Sequence, residues 1–205
     1  MRRMYFVNWN KHSAFKDKHS FLSASKYHWI NYDADKIVQA WNTFEAAAVG
    51  TRIHAVAAEL IELGIKLKNE KKTLNLYVND AIGYKMQPET ILYYSDNAFG
   101  TADAIAFRKD PKTKRNFLRI HDLKTGANPA HMEQLMVYAA YFCLEYGYKP
   151  RDIDIELRIY QNDQVLIHNA FDDFKEDMTG YDMIEMIMNK IIAYDKIIDE
   201  LKSEG

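Results

Sequence analysis

The first third of the chain has the spacing of apolar residues that is typical of helices. Residues 21–33, FLSASKYHWINYD, begin with serines suited to N-capping. Residues 33–68 combine helix-forming composition with apolar residues at helical intervals. Gly50 and Thr51 are expected to separate two helices in this stretch. The charged segment that follows, KNEKKTLN at residues 68–75, is predicted to be a loop.

The middle of the chain changes to short runs rich in β-branched and aromatic residues, which predict strands. A polar stretch with Asp-Pro at its centre, RKDPKTKRN, is expected to form a turn between two of them. The predicted strands are ILYY (91–94), TADAIAF (101–107), NFLRIHDL (116–123), IDIELRIY (153–160) and QVLIHNAF (164–171).

Two further helices complete the pattern. One is expected from about Pro129 to Tyr146, with Asn128 as its N-cap and Pro129 at the favoured first position. The other is a long amphipathic helix over 171–205. The element order predicts an α/β (α+β) fold with a central mixed sheet flanked by helices. We expect one domain over 1–205, with a helical part (1–70), a core (about 71–170) and the C-terminal helix.

Composition restricts the class of protein without naming its function. The 205 residues carry a formal net charge of −2, so any contact with nucleic acid has to come from a local patch. The single cysteine, Cys143, excludes a disulfide within the chain and a zinc or iron–sulfur site made only of cysteines. No apolar run has the length of a membrane span, and the N-terminus lacks the apolar segment of a secretory signal. A cytoplasmic protein is therefore expected.

Two acidic residues are expected to face each other across the predicted hairpin. Opposing residues in an antiparallel pair have a constant index sum, and the apolar runs that stop at Phe107 and resume at Phe117 set that sum near 224. Asp103 and Asp122 sum to 225. Because side chains alternate along a strand, both acids and Lys124 share a face with apolar neighbours. Opposed side chains approach within about 5 Å at the β-carbon.

This arrangement has two interpretations. Two facing carboxylates raise each other's pKa, and a divalent cation such as Mg²⁺ or Mn²⁺ relieves the repulsion. Alternatively, Lys124 forms a structural salt bridge with one of the acids. The strand pair by itself favours the salt bridge.

The surroundings favour the metal. Gly100, three residues before Asp103, permits close approach of a ligand or backbone. Gln134 and Tyr138 lie four residues apart and so share one helix face. His54, early in its helix, is a candidate nitrogen ligand. Two weaker candidate ligands, which fit solvated helix charges better, are Glu45 and Glu59.

These residues together resemble a known family. GTADAI, then a strand ending in HDLKTG, then a helix with QLMVY is similar to the PD-(D/E)XK nuclease superfamily, in its RecB-type branch with the lambda-type phage exonucleases. The resemblance covers about residues 50–140 and includes GTRIH, which contains His54. Iron–sulfur members of the branch need four cysteines, so a cluster is excluded here.

The resemblance implies a DNA exonuclease of phage or mobile-element recombination, or of DNA repair, located in the host cytoplasm if phage-encoded. It implies Mg²⁺ or Mn²⁺ bound by Asp103, Asp122, His54 and the backbone carbonyl of Leu123. Catalytic roles are implied for the two acids, and for Lys124, which positions or activates water. Gln134 and Tyr138 would orient DNA. Compatible partners are DNA, further copies of the chain and a recombination or annealing protein.

Other readings of the sequence stay open. The same core supports a structure-specific endonuclease or a catalytically inactive DNA-binding or adaptor subunit, and a plain interaction protein would use Asp122 and Lys124 only as a salt bridge. The basic turn 108–116 fits either a phosphate-contacting tip or a solvated turn. It lies at the far end of the hairpin from the acids.

Overall fold

The computed structural model of the chain describes residues 9–16, 20–44, 52–125 and 129–203. Glu45, the predicted break at Gly50 and Thr51, and the predicted cap Asn128 lie outside these residues. The helices are α1 (Ala34–Phe44), α2 (Arg52–Leu63), α3 (Thr73–Gly83), α4 (Glu133–Tyr146) and α5 (Gly180–Ser203). The strands are β1 (Gln87–Ser95), β2 (Ala98–Lys109), β3 (Asn116–Leu123), β4 (Asp154–Gln161), β5 (Gln164–Asn169), β6 (Asp173–Lys175) and β7 (Met178–Thr179). Short 3-10 segments lie at Ser13–Phe15, Ala24–Asn31 and Pro150–Asp152.

A five-stranded sheet in the order β1-β2-β3-β4-β5 forms the centre of the structure. β3 and β4 are parallel, and the other neighbouring pairs are antiparallel. Parallel strands need a crossover connection, and α4 supplies it. The predicted α+β fold with a mixed sheet flanked by helices is therefore confirmed.

Helices cover both faces of the sheet. Leu118 and Ile120 of β3 belong to the larger core, which includes nine consecutive buried residues of α4 (135–143) and the inner face of α5. The alternate positions Ala104 and Ala106 of β2 face the opposite way, into a smaller core with α2 and α3. This alternation follows from the two-residue period of a strand. Small alanine side chains leave room for the second helical layer.

Helix α3 is absent from the sequence-based prediction, and two predicted helices begin elsewhere. α4 begins at Glu133 instead of Pro129, and its N-cap, Met132, makes no side-chain capping bond. The predicted C-terminal helix over 171–205 begins only at Gly180, because residues 173–179 form the β6–β7 pair. A capping box sets the new start. Asp182 Oδ2 accepts hydrogen bonds from the backbone N–H (3.0 Å) and hydroxyl (2.6 Å) of Thr179, and Asp182 N–H donates to Thr179 Oγ1 (3.3 Å).

Within the part of the chain that the structure describes, no helix is both long enough and apolar enough to cross a lipid bilayer.

Replacing Thr179 with Ala tests the capping box. Loss of the hydroxyl removes both of its reciprocal bonds to Asp182, and we expect the free energy of unfolding to fall by about 1 kcal/mol. Chemical denaturation measures the change. Thr179→Ser, which keeps the hydroxyl, is expected to retain most of the stability. A Thr179→Ala protein as stable as the wild type would show that the box does not set the start of α5.

Candidate functional site

The register of β2 and β3 brings the two strand acids to the same level of the sheet. In the β2–β3 ladder, partners sum to 225, as in Ala104 with His121 and Ile105 with Ile120. One further step of this register places Asp103 opposite Asp122. The strands remain joined there through the carboxylate, since Leu123 N–H donates to Asp103 Oδ2 at 2.8 Å. The two acids therefore lie side by side where β3 ends.

Asp122 is buried and has two polar contacts from the residues that the resemblance singles out. Its Oδ2 lies 3.0 Å from Lys124 Nζ, and its Oδ1 accepts a hydrogen bond from Gln134 Nε2 at 3.2 Å. Lys124 Nζ also donates to Gln134 Oε1 at 2.6 Å. The three side chains close a triangle between the end of β3 and the first turn of α4. We call it the Asp122 triangle.

The environment of Asp122 disfavours its charge. Burial, and then the neighbouring Asp103, raise the pKa of Asp122 to about 7, although Lys124 and His54 act in the opposite direction. Despite the nearby ammonium, no donor within the described residues makes a well-directed hydrogen bond to Asp122 Oδ2. A cation would stabilise a carboxylate oxygen that is buried without a hydrogen bond.

A second group of ligand atoms lies beside the triangle. His54 of α2 is 3.2 Å from Asp103 (Nδ1 to Oδ2), and the hydrogen bond to Asp103 raises the pKa of His54 in spite of its partial burial. Glu89 of β1 joins them: one nitrogen of His54 and one carboxylate oxygen each of Glu89 and Asp103 lie within 4.8 Å of one another. We call these three residues the His54 cluster.

Glu89 is the functional candidate that sequence reasoning missed. Pro88 pairs with Ala104 and Thr90 with Ala102, so Glu89 lies between them at the level of Asp103. The acids Glu89, Asp103 and Asp122 thus form a row across three adjacent strands. An index sum taken from the turn at Asp96 and Asn97 is 193, as in Ser95 with Ala98, and it would place Thr90 opposite Asp103. The irregularity between Tyr93 and Ser95 changes the sum to 192, and no signal in the sequence shows this shift. Glu89 also has a left-handed backbone, with φ of 47°, which non-glycine residues adopt at a cost.

The donor set fits a hard divalent cation. Carboxylate oxygens with one imidazole nitrogen are a combination that Mg²⁺ and Mn²⁺ accept in proteins. Asp122 Oδ2, which has an ion pair with Lys124 but no hydrogen bond, is a further candidate oxygen. For Leu123, the structure gives a role to the backbone N–H, which holds Asp103. The predicted use of its carbonyl as a ligand stays a prediction.

Gln134 and Tyr138 are both buried, and their visible contacts are with the protein. Besides its two bonds within the triangle, Gln134 bonds to Tyr138, and burial holds the pKa of the Tyr138 phenol well above its usual range. The absence of a side chain at Gly100 explains how the Tyr138 ring approaches so closely: a β-carbon there would lie 3.2 Å from Tyr138 Cε1. Their expected contact with DNA is untested. Gln134 bonds to both Lys124 and Asp122 and so holds them in position.

The remaining candidates lie apart from this site. Glu59 is exposed on α2 and does not belong to the His54 cluster. In the basic turn, Arg115 forms an ion pair with Asp154 at 2.7 Å, and Arg108 donates to the carbonyl of Lys85 at 2.5 Å. Lys114 donates to the carbonyl of Pro111 within the same turn. This turn closes the β2–β3 ladder at the end opposite the acids.

Asp122→Asn tests the electrostatic cost at the site. The raised pKa means that folded metal-free protein binds a proton that the unfolded chain releases between about pH 4 and 7. Stability from this group is therefore present at low pH and is lost as pH rises through 7. We expect Asp122→Asn to gain roughly 2–4 kcal/mol relative to the wild type between pH 4.5 and 8 in chelator, measured by urea denaturation.

The matched control is Asp163→Asn. Asp163 is exposed, and hydrogen bonds from the Thr73 backbone and Lys72 lower its pKa. Asp163 is therefore ionised in both the folded and the unfolded protein between pH 5 and 8, and the effect of Asp163→Asn on stability should be constant over this range. A stability difference for Asp122→Asn that does not change with pH would contradict the predicted ionisation.

Glu89→Gln tests the His54 cluster. Mn²⁺ should bind the wild type at pH 8 and raise its melting temperature, as any ligand specific to the folded state does. The amide removes one anionic oxygen, so we expect Mn²⁺ affinity to fall at least tenfold, measured by calorimetric titration. Glu59→Gln makes the same chemical change on exposed α2 and should bind Mn²⁺ as the wild type does. Equal affinities in all three proteins would exclude Glu89 as a ligand.

The comparisons with known proteins assign no family to this chain. No family model and no curated protein matches it. The solved structure of SSO0001 is similar over 83% of this chain and 70% of its own, with 11% identity and a TM-score of 0.30. A similarity at this level supports no conclusion about fold or function.

Proposed function

We propose that this protein is a Mg²⁺- or Mn²⁺-dependent DNA exonuclease. It would hydrolyse phosphodiester bonds at DNA ends, in phage or mobile-element recombination or in DNA repair. The observation that carries the proposal is the Asp122 triangle lying against the His54 cluster. The phage, recombination and repair setting is supported only by the resemblance of the short motifs.

Four side chains would hold the cation: His54, Glu89, Asp103 and Asp122. When bound, Mg²⁺ or Mn²⁺ polarises the scissile phosphate and makes a coordinated water more acidic. The chain fixes the direction of these ligands. Leu123 N–H and His54 both bond to Asp103 Oδ2, which leaves Asp103 Oδ1 for another partner.

Lys124 supplies the positive charge of the proposed site. Its ammonium lies 3.0 Å from Asp122 and 2.6 Å from the Gln134 amide oxygen, so two contacts fix its position. A fixed cation next to a phosphate stabilises the negative charge that develops during hydrolysis, without the reorganisation that water would need. Lys124 would also orient the attacking water. Gln134 positions this lysine through a direct hydrogen bond.

The purely structural alternative explains less of the arrangement. Lys124 and Asp122 do form the salt bridge that this alternative requires. Desolvation makes a buried ion pair costly, and further carboxylates beside it add repulsion instead of stability. Here Asp103 adds to the raised pKa of Asp122, and Glu89 lies in the same row. Lys124 pairs with Asp122 and His54 with Asp103, and a row of three carboxylates beside them is better explained by a bound divalent cation.

A nuclease assay with variants tests the proposal. End-labelled linear duplex, single-stranded DNA and closed circular plasmid are incubated with Mg²⁺, Mn²⁺ or chelator. We expect metal-dependent loss of linear DNA and no cutting of the circle. Lys124→Ala and Asp122→Ala should each lower kcat by about 10²–10³-fold or more, since a positioned charge contributes on that scale.

Lys112→Ala is the matched control, because this lysine is exposed in the basic turn at the other end of the sheet. Circular dichroism and melting temperature establish that each variant is folded. Cutting of the circular plasmid would identify an endonuclease on the same core. Absence of cleavage with every substrate and metal would overturn the proposal in favour of an inactive DNA-binding or adaptor subunit.

A further inference from the structure

Between α2 and α3 the chain forms a basic loop, GIKLKNEKK, which we call the lysine loop (64–72). It holds four lysines and one acid, Glu70. All four lysines are exposed: Lys66, Lys68, Lys71 and Lys72. The helical composition before it and the charged run within it predict only a solvated loop.

The backbone of the lysine loop is firmly held. Gly64 ends α2 in a left-handed conformation with φ of 66°, and Ile65 N–H donates to Leu60 O at 2.9 Å in the pattern of a glycine C-cap. The side chain of Asn79 bonds both backbone groups of Leu67, at 2.9 and 3.1 Å. The Asn75 amide donates to the carbonyl of Lys68 at 2.9 Å. Exposed charges on a fixed backbone lose less chain entropy when they bind a ligand.

The loop lies at the same end of the sheet as the acids. Its last residue, Lys72, bonds to Asp163 in the β4–β5 turn at 3.0 Å, and the N–H of Thr73 donates to the same carboxylate at 2.9 Å. That turn follows the end of β4, where Tyr160 pairs with Leu123 and accepts a hydrogen bond from Lys124 N–H. The lysine loop therefore ends beside the end of β4, and the end of β4 is paired with the end of β3.

Helix α3 fixes this placement from its other side. Tyr160 Oη on β4 donates to Asp80 of α3 at 2.7 Å, and Arg158 of β4 forms an ion pair with Asp80 at 3.1 Å. With Thr73 bound at the β4–β5 turn and Asp80 bound farther down β4, α3 runs antiparallel to β4. Its N-terminus, and the lysine loop before it, are therefore kept at the acid end.

Three ammonium groups in the loop remain available. Lys72 is neutralised by Asp163. Among the residues that the structure describes, none forms an ion pair or a side-chain hydrogen bond with the ammonium of Lys66, Lys68 or Lys71. The basic turn 108–116 differs from the lysine loop in position and in availability of its charges. It lies at the far end of the sheet, and three of its five basic side chains already have partners.

We propose that Lys66, Lys68 and Lys71 bind the phosphate backbone of DNA engaged at the acid cluster. The inference rests on the proposed function, because it takes the acid end as the place where DNA is held. An acidic cluster repels DNA unless cations offset it, and the three ammonium groups supply a fixed positive surface beside it. Such contacts go to phosphates and are independent of sequence. They position the strand without reading it.

The test compares two triple variants with the same change in charge. Lys66→Gln, Lys68→Gln and Lys71→Gln are combined in one protein, and Lys109→Gln, Lys112→Gln and Lys114→Gln in the other, at the far turn. Fluorescence anisotropy measures the Kd for a labelled duplex in chelator, over a series of salt concentrations. Each phosphate contact contributes about 0.9 to the slope of log K against log salt.

We expect the lysine-loop variant to lose about 2–3 from this slope and to bind at least tenfold more weakly at about 0.1 M salt. The far-turn variant should change the slope by less than about 1. Equal effects of the two variants, or a larger effect of the far turn, would overturn the inference. Failure of the wild type to bind DNA would overturn it as well.

Cleavage by the same proteins separates this inference from the proposed function. In Mg²⁺, the lysine-loop variant should have a raised KM and an unchanged kcat, because the loop does not touch the reacting atoms. A wild type that cleaves DNA, with a lysine-loop variant that keeps its KM and salt slope, would refute the inference alone. A wild type that binds DNA through the loop and never cleaves it would refute only the proposed exonuclease.

Discussion

Repulsion between carboxylates at one end of the sheet is the constraint around which the rest of this structure is arranged. Glu89, Asp103 and Asp122 lie in a row across three adjacent strands. Burial of Asp122 intensifies the repulsion, since a low-dielectric environment screens charge poorly. The nearby groups all reduce it: an imidazole, a backbone N–H, an ammonium and an amide. These groups come from a strand end and from two helices, which must therefore meet at this point.

The topology explains why they meet. β3 and β4 are parallel, so the chain has to cross over between them, and α4 begins near the end at which β3 stops. The first turn of α4 consequently lies over Asp122, and Gln134 is in that turn. On the opposite face, α2 brings His54 to Asp103. A site made from strand ends and the first turns of helices follows from one crossover and a sheet with two covered faces.

The sequence predicted those parts of the site that depend on local spacing. The Asp103–Asp122 register follows from a turn and two apolar runs, whereas the level of Glu89 depends on a register shift in β1 that the sequence does not show. The contact of Lys124 with Asp122 was also expected, as one of two interpretations. Burial of Tyr138 was not expected. The spacing Gln134 to Tyr138 is the same whether the tyrosine ring contacts DNA or packs against Gly100.

Other features required tertiary information. The start of α5 depends on a capping box, Thr179 with Asp182, that is readable in the sequence but follows a hairpin with weak strand signals. The location of the lysine loop depends on Asp163, about ninety residues away in the chain. Charge runs such as 66–72 and 108–116 look equivalent in the sequence. The predicted hairpin already places 108–116 at the far end from the acids, whereas only the fold places 66–72 beside them.

The left-handed backbone at Glu89 has a consequence for how this protein can change. Glycine or asparagine would suit the φ of 47° better than glutamate does, by about 1 kcal/mol or more. Substitution by either would relieve backbone strain and carboxylate repulsion together, and would give a more stable protein with an incomplete cluster. Stability and ligand binding are thus opposed at one position, and selection for thermal robustness alone would remove the glutamate.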